Sequence, residues 1–259
     1  METTGKKLLR VPEVTFLFWV VKSLSTTVGE TTSDFFVNLG LGMPLMAVIV
    51  AVLMGGLFSL QFKKYQQYVP VIYWSLVVLM SVEGTLITDM LADNHLASLQ
   101  TLTIVFTLAM LIGFTLWYQR EKTLSIHSID TASREAYYWI VILMAFALGT
   151  AAGDLISEAL SQGYGVALSL FSSLIVLVAV AYYALKLNAV LAFWLAYILT
   201  RPFGASLGDY LSQSQQDGGL GFGLGAINGL FFMIIILCVI WMHQQISQKT
   251  ENVARRKKI

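Results

Sequence analysis

Apolar residues in this chain run for about twenty positions at a time, separated by short polar stretches, with no strict alternation. Eight such runs lie near residues 14–36, 42–62, 70–92, 97–118, 136–158, 164–185, 189–211 and 220–242. A helix rises about 1.5 Å per residue, so about 20 residues cross a hydrocarbon core of about 30 Å. A β-barrel would show alternating segments of about ten residues, so the pattern predicts helices. The expected fold is an all-α membrane protein with eight transmembrane helices, forming a single membrane domain over residues 1–259.

Polar intrusions in these runs recur. The first run reads "FWVVKSLSTTVGETTSD" and aligns with "YWSLVVLMSVEGTLITD", "YWIVILMAFALGTAAGD" and "FWLAYILTRPFGASLGD". The shared pattern is an aromatic residue, Trp, nine residues, Gly, four residues and Asp. It places Trp19, Trp74, Trp139 and Trp194, then Gly29, Gly84, Gly149 and Gly204, then Asp34, Asp89, Asp154 and Asp209. One unit contains two spans. The four units cover approximately 12–62, 68–118, 133–186 and 188–242, followed by a basic tail at 243–259. Short turns such as "NLGLGMP" and "QGYG" suit tight connections. They predict four tandem helical hairpins with pseudo-symmetry along the membrane normal.

The pattern resembles a bacterial membrane family built from four tandem repeats of unknown function, each with two transmembrane helices and a characteristic tryptophan. The resemblance covers residues from about 12 to 242. It implies a bacterial inner membrane and carries little biochemistry.

Lys and Arg set the expected orientation. They precede the first span (Lys6, Lys7, Arg10), follow the second (Lys63, Lys64), and lie between the fourth and fifth (Arg120, Lys122, Arg134). Lys186 follows the sixth span, and the tail carries Lys249, Arg255, Arg256, Lys257 and Lys258. The opposite loops near 37–41, 93–96, 159–163 and 212–219 contain neither residue. The positive-inside rule then puts both termini in the cytoplasm, with Trp117 and Trp241 as interfacial anchors.

Candidate chemistry sits in the odd-numbered spans. Four residues after each motif glycine stands a small residue: Ser33, Thr88, Gly153 or Gly208. Small residues four apart let helix backbones approach closely in a membrane. Gly29, Gly84, Gly149, Gly153, Gly204 and Gly208 are therefore expected at helix contacts. The positions one and five after each glycine share a helix face and read Glu30/Asp34, Thr85/Asp89, Thr150/Asp154 and Ala205/Asp209. An ionisable residue at a helix centre costs about 2.5–3.5 kcal/mol on insertion scales. Four matched aspartates, with Glu30 and Glu83 deeper, form a candidate cation site between helices 1, 3, 5 and 7. Interfacial caps facing water are the plainer reading. Lys22 and Arg201 are candidate counter-charges, Lys22 with the option of snorkelling toward the cytoplasm. Arg201 is too central for that and is expected to pair with a carboxylate on a neighbouring span.

Composition narrows the function. Charged residues make up 12% of the chain, hydrophobic residues 57%, and the net charge is +1. No basic face points to nucleic acid. A single cysteine, Cys238, excludes a disulfide framework. No cleavable signal peptide is expected, because the first apolar stretch is long and carries Lys22. His95, His127 and His243 fall at different depths, so a histidine metal site is not expected. No Ser–His–Asp, Walker or HExxH pattern occurs, so no enzyme and no cofactor is expected. An all-oxygen acidic site suits a hard cation such as Mn²⁺ or Mg²⁺, or Ca²⁺, Na⁺ or protons. Sequence thus favours a cation transport protein in the lipid bilayer. The alternatives are a cation channel and a non-transporting sensor or assembly protein whose acidic repeats are structural.

Overall fold

The computed structural model describes residues 8–159 and 162–256, with side chains excepted at 158, 159, 217 and 249–256. Among the described residues there are eight α-helices and no strand: α1 Phe16–Asn38, α2 Met43–Ser59, α3 Pro70–Asp93, α4 Leu99–Glu121, α5 Ala132–Asp154, α6 Tyr164–Tyr183, α7 Ala189–Ser212 and α8 Leu224–Arg256. π-helical turns extend α2 over Leu60–Tyr65 and α5 over Leu155–Ala159. The odd helices begin on local signals. Thr15, Thr131 and Asn188 cap α1, α5 and α7 through their side-chain oxygens, and Pro70 opens α3 at its first turn.

Seven helices, α2 to α8, are long and apolar enough to cross a membrane. The first helix is long enough but too polar, because Ser, Thr, Lys22, Glu30 and Asp34 crowd residues 22–34. Most of those groups are buried in protein, Asp34 being partly exposed. Thr27 and Thr31 donate to carbonyls one turn earlier on α1, at 3.1 Å each. Thr26 donates to the Thr200 carbonyl at 3.0 Å. Asn228 of α8 donates to the Thr31 carbonyl at 2.9 Å and accepts from Thr31 and Thr32. Polar groups bonded across helices replace the apolar surface that α1 lacks. The last helix does not stop near 242. It runs on through the expected tail to Arg256. Lys6, Lys7, Lys257 and Lys258, used for orientation, lie outside the described residues.

The odd helices form a closed ring, α1 against α3, α3 against α5, α5 against α7 and α7 against α1. The even helices lie outside with large apolar side chains exposed. Tight hairpins are not what forms. The two helices of a repeat touch little, and each even helix lies on the odd helix of the following repeat: α2 on α3, α4 on α5, α6 on α7. The last even helix, α8, closes the series on α1 and also touches α3. Trp117 departs from its expected place at an interface. It is fully buried, 5.7 Å from Trp194, whereas Trp241 is exposed.

Candidate cation site inside the helix ring

Each motif glycine sits where a Cβ would have no room, and the obstacle is the same in every repeat. Gly29 abuts Ser81, Gly84 abuts Phe146, Gly149 abuts Arg201 and Gly204 abuts Thr26. Each obstacle stands three residues before the motif glycine of the next odd helix, and the fourth contact returns to α1. At Gly84 a Cβ would stand 3.0 Å from the Ala147 nitrogen, and at Gly204 2.9 Å from the Thr27 nitrogen, so backbone meets backbone. One turn on, Thr88 donates to the Ala147 carbonyl at 3.1 Å, and a Cβ on Gly208 would lie 3.0 Å from the Thr31 methyl. Gly153 has more room, with Ala205 at 3.8 Å.

This seam turns the position after each glycine toward the ring interior. Glu30, Thr85, Thr150 and Ala205 occupy it, and Arg201 of α7 reaches in among them. Its Nη2 donates to Glu30 Oε2 at 2.8 Å, to Thr150 Oγ1 at 2.6 Å and to Thr85 Oγ1. Thr85 also bonds Glu30 Oε2 at 3.0 Å. One guanidinium therefore touches the three other odd helices at once. Arg201 is fully buried and Glu30 nearly so. Arg201 Nε and Nη1 have no hydrogen-bond partner among the described residues.

A turn further along stand the aspartates. Glu30, Asp154 and Asp209 each bring a carboxylate oxygen within 4.8 Å of the others. Asp89 stands in electrostatic reach of Glu30, Asp34, Asp93 and Arg201. The ring interior thus gathers Glu30, Asp154 and Asp209 beside one guanidinium, with Asp89 in electrostatic reach of both Glu30 and Arg201. Two carboxylates 4.8 Å apart repel by about 3.5 kcal/mol at an effective dielectric of about 20. Arg201, paired with Glu30, offsets part of that repulsion.

Two residues singled out in the sequence lie elsewhere. Glu83 does not join the acids. It stands two positions, or about 200°, from the inward-facing Thr85, so it points out of the ring. It is buried there, and its Oε2 has no partner among the described residues. Lys22 does not snorkel. Its ammonium is fully buried two turns from Glu30, donating to Thr200 Oγ1 at 3.2 Å. It lies 4.4 Å from the centre of the Phe146 ring and 4.3 Å from that of Tyr197.

Below Lys22 the interior is closed by rings. Tyr73 and Tyr138 share a hydrogen bond, and Phe18 lies 6.1 Å from Phe193. These four are the aromatic residues that precede the motif tryptophans. Arg201 and Lys22 were singled out in the sequence, but not the inner layers they belong to, Thr26/Ser81/Phe146/Arg201 and Lys22/Val77/Ile142/Tyr197, which stand three and seven residues before the glycines. The four-residue step that linked Glu30 to Asp34 would have led back to them.

Comparison with curated proteins and with solved structures returned no match. The model of the family described as Repeat of Unknown Function (DUF347) matches four times, over residues 17–66, 72–123, 137–188 and 192–247. With the motif glycines in the same kind of contact in all four matched segments, the chain belongs to this repeat family.

Proposed function

We propose that the protein is an integral membrane transport protein that moves a small cation, a hard ion such as Mn²⁺ or Mg²⁺, through the acid-rich space between α1, α3, α5 and α7. One observation carries this reading: Glu30, Asp154 and Asp209, from three different helices, converge within 4.8 Å inside the ring. Carboxylate oxygens suit hard cations. In this reading α1 is an eighth span, shielded from lipid by its neighbours. The four repeats are related about an axis along the membrane normal, and the recurring glycine contact supports that. The membrane is the bacterial inner membrane with both termini cytoplasmic, as the Lys/Arg-free loops favour.

Arg201 is the resident counter-charge. It holds Glu30 when no ion is bound and yields when one arrives. Lys22 and the aromatic layer lie in line with it, so two basic side chains and interlocked rings stand across a straight path. That favours a carrier over an open cation channel. The second reading is a non-transporting sensor or assembly protein, and Arg201 favours it too, because it already neutralises Glu30.

Uptake of Mn²⁺, Mg²⁺, Ca²⁺ and Na⁺ into proteoliposomes tests the proposal. Saturable uptake of one of them is expected, abolished by Asp154→Asn and by Asp209→Asn while both variants remain monodisperse. No uptake of any of the four, with no ion-dependent thermal shift, decides for the structural reading.

A further inference from the structure

At three of the four places where neighbouring odd helices meet, the motif tryptophan is closed over. Trp74, Trp139 and Trp194 are 1%, 3% and 4% exposed. Trp139 packs edge-on against Phe58 of α2 at 5.7 Å, and Trp194 against Phe114 of α4 at 4.8 Å. At the α7–α1 junction Trp19 stays partly exposed, and its ring partners among the described residues are Phe18 and Phe193. Beside it lies a cavity of about 790 Å³ between α1, α6 and α7.

The repeat shows why. Phe58 stands 39 residues after Trp19, and Phe114 stands 40 after Trp74. The same steps from Trp139 reach Val178 and Ala179, and both line the cavity. Where two repeats supply a phenyl ring, the third supplies a small aliphatic side chain.

Protein interiors are close-packed, and an apolar cavity stays dry and takes up apolar matter. Along α7 the lining runs from Ala189 to Phe203, a rise of about 21 Å, comparable to one leaflet with its interface. The deeper hydroxyls of Ser172 and Thr200 are turned to carbonyls of their own helices. At the Ala189 end the lining includes Ser125 and exposed His127, and the turn between Tyr183 and Ala189 carries exposed Lys186. An apolar slot one leaflet deep with a basic mouth matches a lipid with an anionic head.

We infer that this cavity is a lipid site that holds an acyl chain of one anionic phospholipid, with the phosphate at His127 and Lys186. The inference rests on α1, α6 and α7 lying in the bilayer and is independent of cation transport. Its readout is lipid retention, so its failure leaves the uptake result untouched. Native mass spectrometry of the full-length protein in detergent, titrated with phosphatidylglycerol or phosphatidylcholine of equal chains, tests it. One phosphatidylglycerol per chain is expected, at about a tenfold lower concentration than phosphatidylcholine, the equivalent of about 1.4 kcal/mol. Ala179→Phe should remove it, and Lys186→Gln with His127→Gln should erase the preference between the two lipids. Should Ala179→Phe fail to fold, Ser23→Cys in a Cys238→Ser background gives a separate readout, because phosphatidylglycerol should slow its alkylation. Equal retention of both lipids, full retention by Ala179→Phe, or alkylation of Cys at 23 unchanged by lipid overturns the inference.

Discussion

Two buried arginine–glutamate pairs hold this bundle together, and they differ in what surrounds them. Near the start of α5, Arg10 Nη1 meets Glu135 Oε2 at 2.7 Å, while Gln61 at 2.7 Å and Trp139 at 3.4 Å donate to the other carboxylate oxygen. One guanidinium faces one carboxylate, and both of its oxygens are taken. That pair ties the segment before α1 to the turn after α2 and to α5. Inside the ring, Arg201 faces Glu30 with Asp154 and Asp209 beside it, and two of its nitrogens have no partner among the described residues. The outer pair sets one guanidinium against one carboxylate and leaves one nitrogen, Arg10 Nε, without a partner among the described residues. The inner pair brings two further carboxylates to the same guanidinium, and this convergence separates a candidate ion site from a clamp.

The largest effects should come from removing either arginine. Breaking a buried pair costs roughly 3–5 kcal/mol, because the partner is left as an uncompensated charge. Arg10→Gln and Arg201→Gln should both lower thermal stability in detergent by amounts in that range. Millimolar Mn²⁺ or Mg²⁺ should restore Arg201→Gln and leave Arg10→Gln unchanged. Equal rescue of both, or of neither, would erase the distinction drawn between the pairs.

A smaller change is expected at the acids. Asp209→Asn removes one member of a repelling group, so in ion-free buffer it should gain stability, by less than the roughly 3.5 kcal/mol of one repulsion. It should also lose the ion-dependent shift of the parent protein. Glu135→Gln should do the reverse and lose stability whatever the ion. Calorimetric scans with and without ion distinguish the four curves.

The mildest test is Thr150→Val, which takes one acceptor from Arg201 and leaves its shape. Hydrogen bonds to charged groups contribute about 1.5–3 kcal/mol, so a loss near 1.5 kcal/mol is expected in a denaturant titration. A neutral result would mean that Glu30 and Thr85 hold the guanidinium without help from Thr150.

Much of the architecture was legible from residue order. Long apolar runs placed the helices to within a few residues, except that α8 continues past 242 and α1 is too polar to count as a span by composition. Counting from Gly84 to Thr85 and Asp89 marked the face that lines the ring. The same count placed Glu83 beside them by sequence distance, although one residue on a helix is a turn of about 100° and sends it to the other side. Lys22 looked free to snorkel because its own helix offers no obstacle. Phe146 and Tyr197, which cover it, come from α5 and α7.

Residue order alone specifies the helices and the four-fold Trp–Gly–Asp repeat, because hydrophobic length and periodicity are properties of the chain read in order. Which helix lies on which was decided only in three dimensions. Even helices pack forward on the next odd helix, since the free energy of covering the ring depends on surfaces brought together from different repeats. The same holds for Arg201, one residue whose partners Glu30, Thr85 and Thr150 lie 171, 116 and 51 positions away. A buried charge takes whatever acceptors the closed ring presents, and no local pattern records that choice.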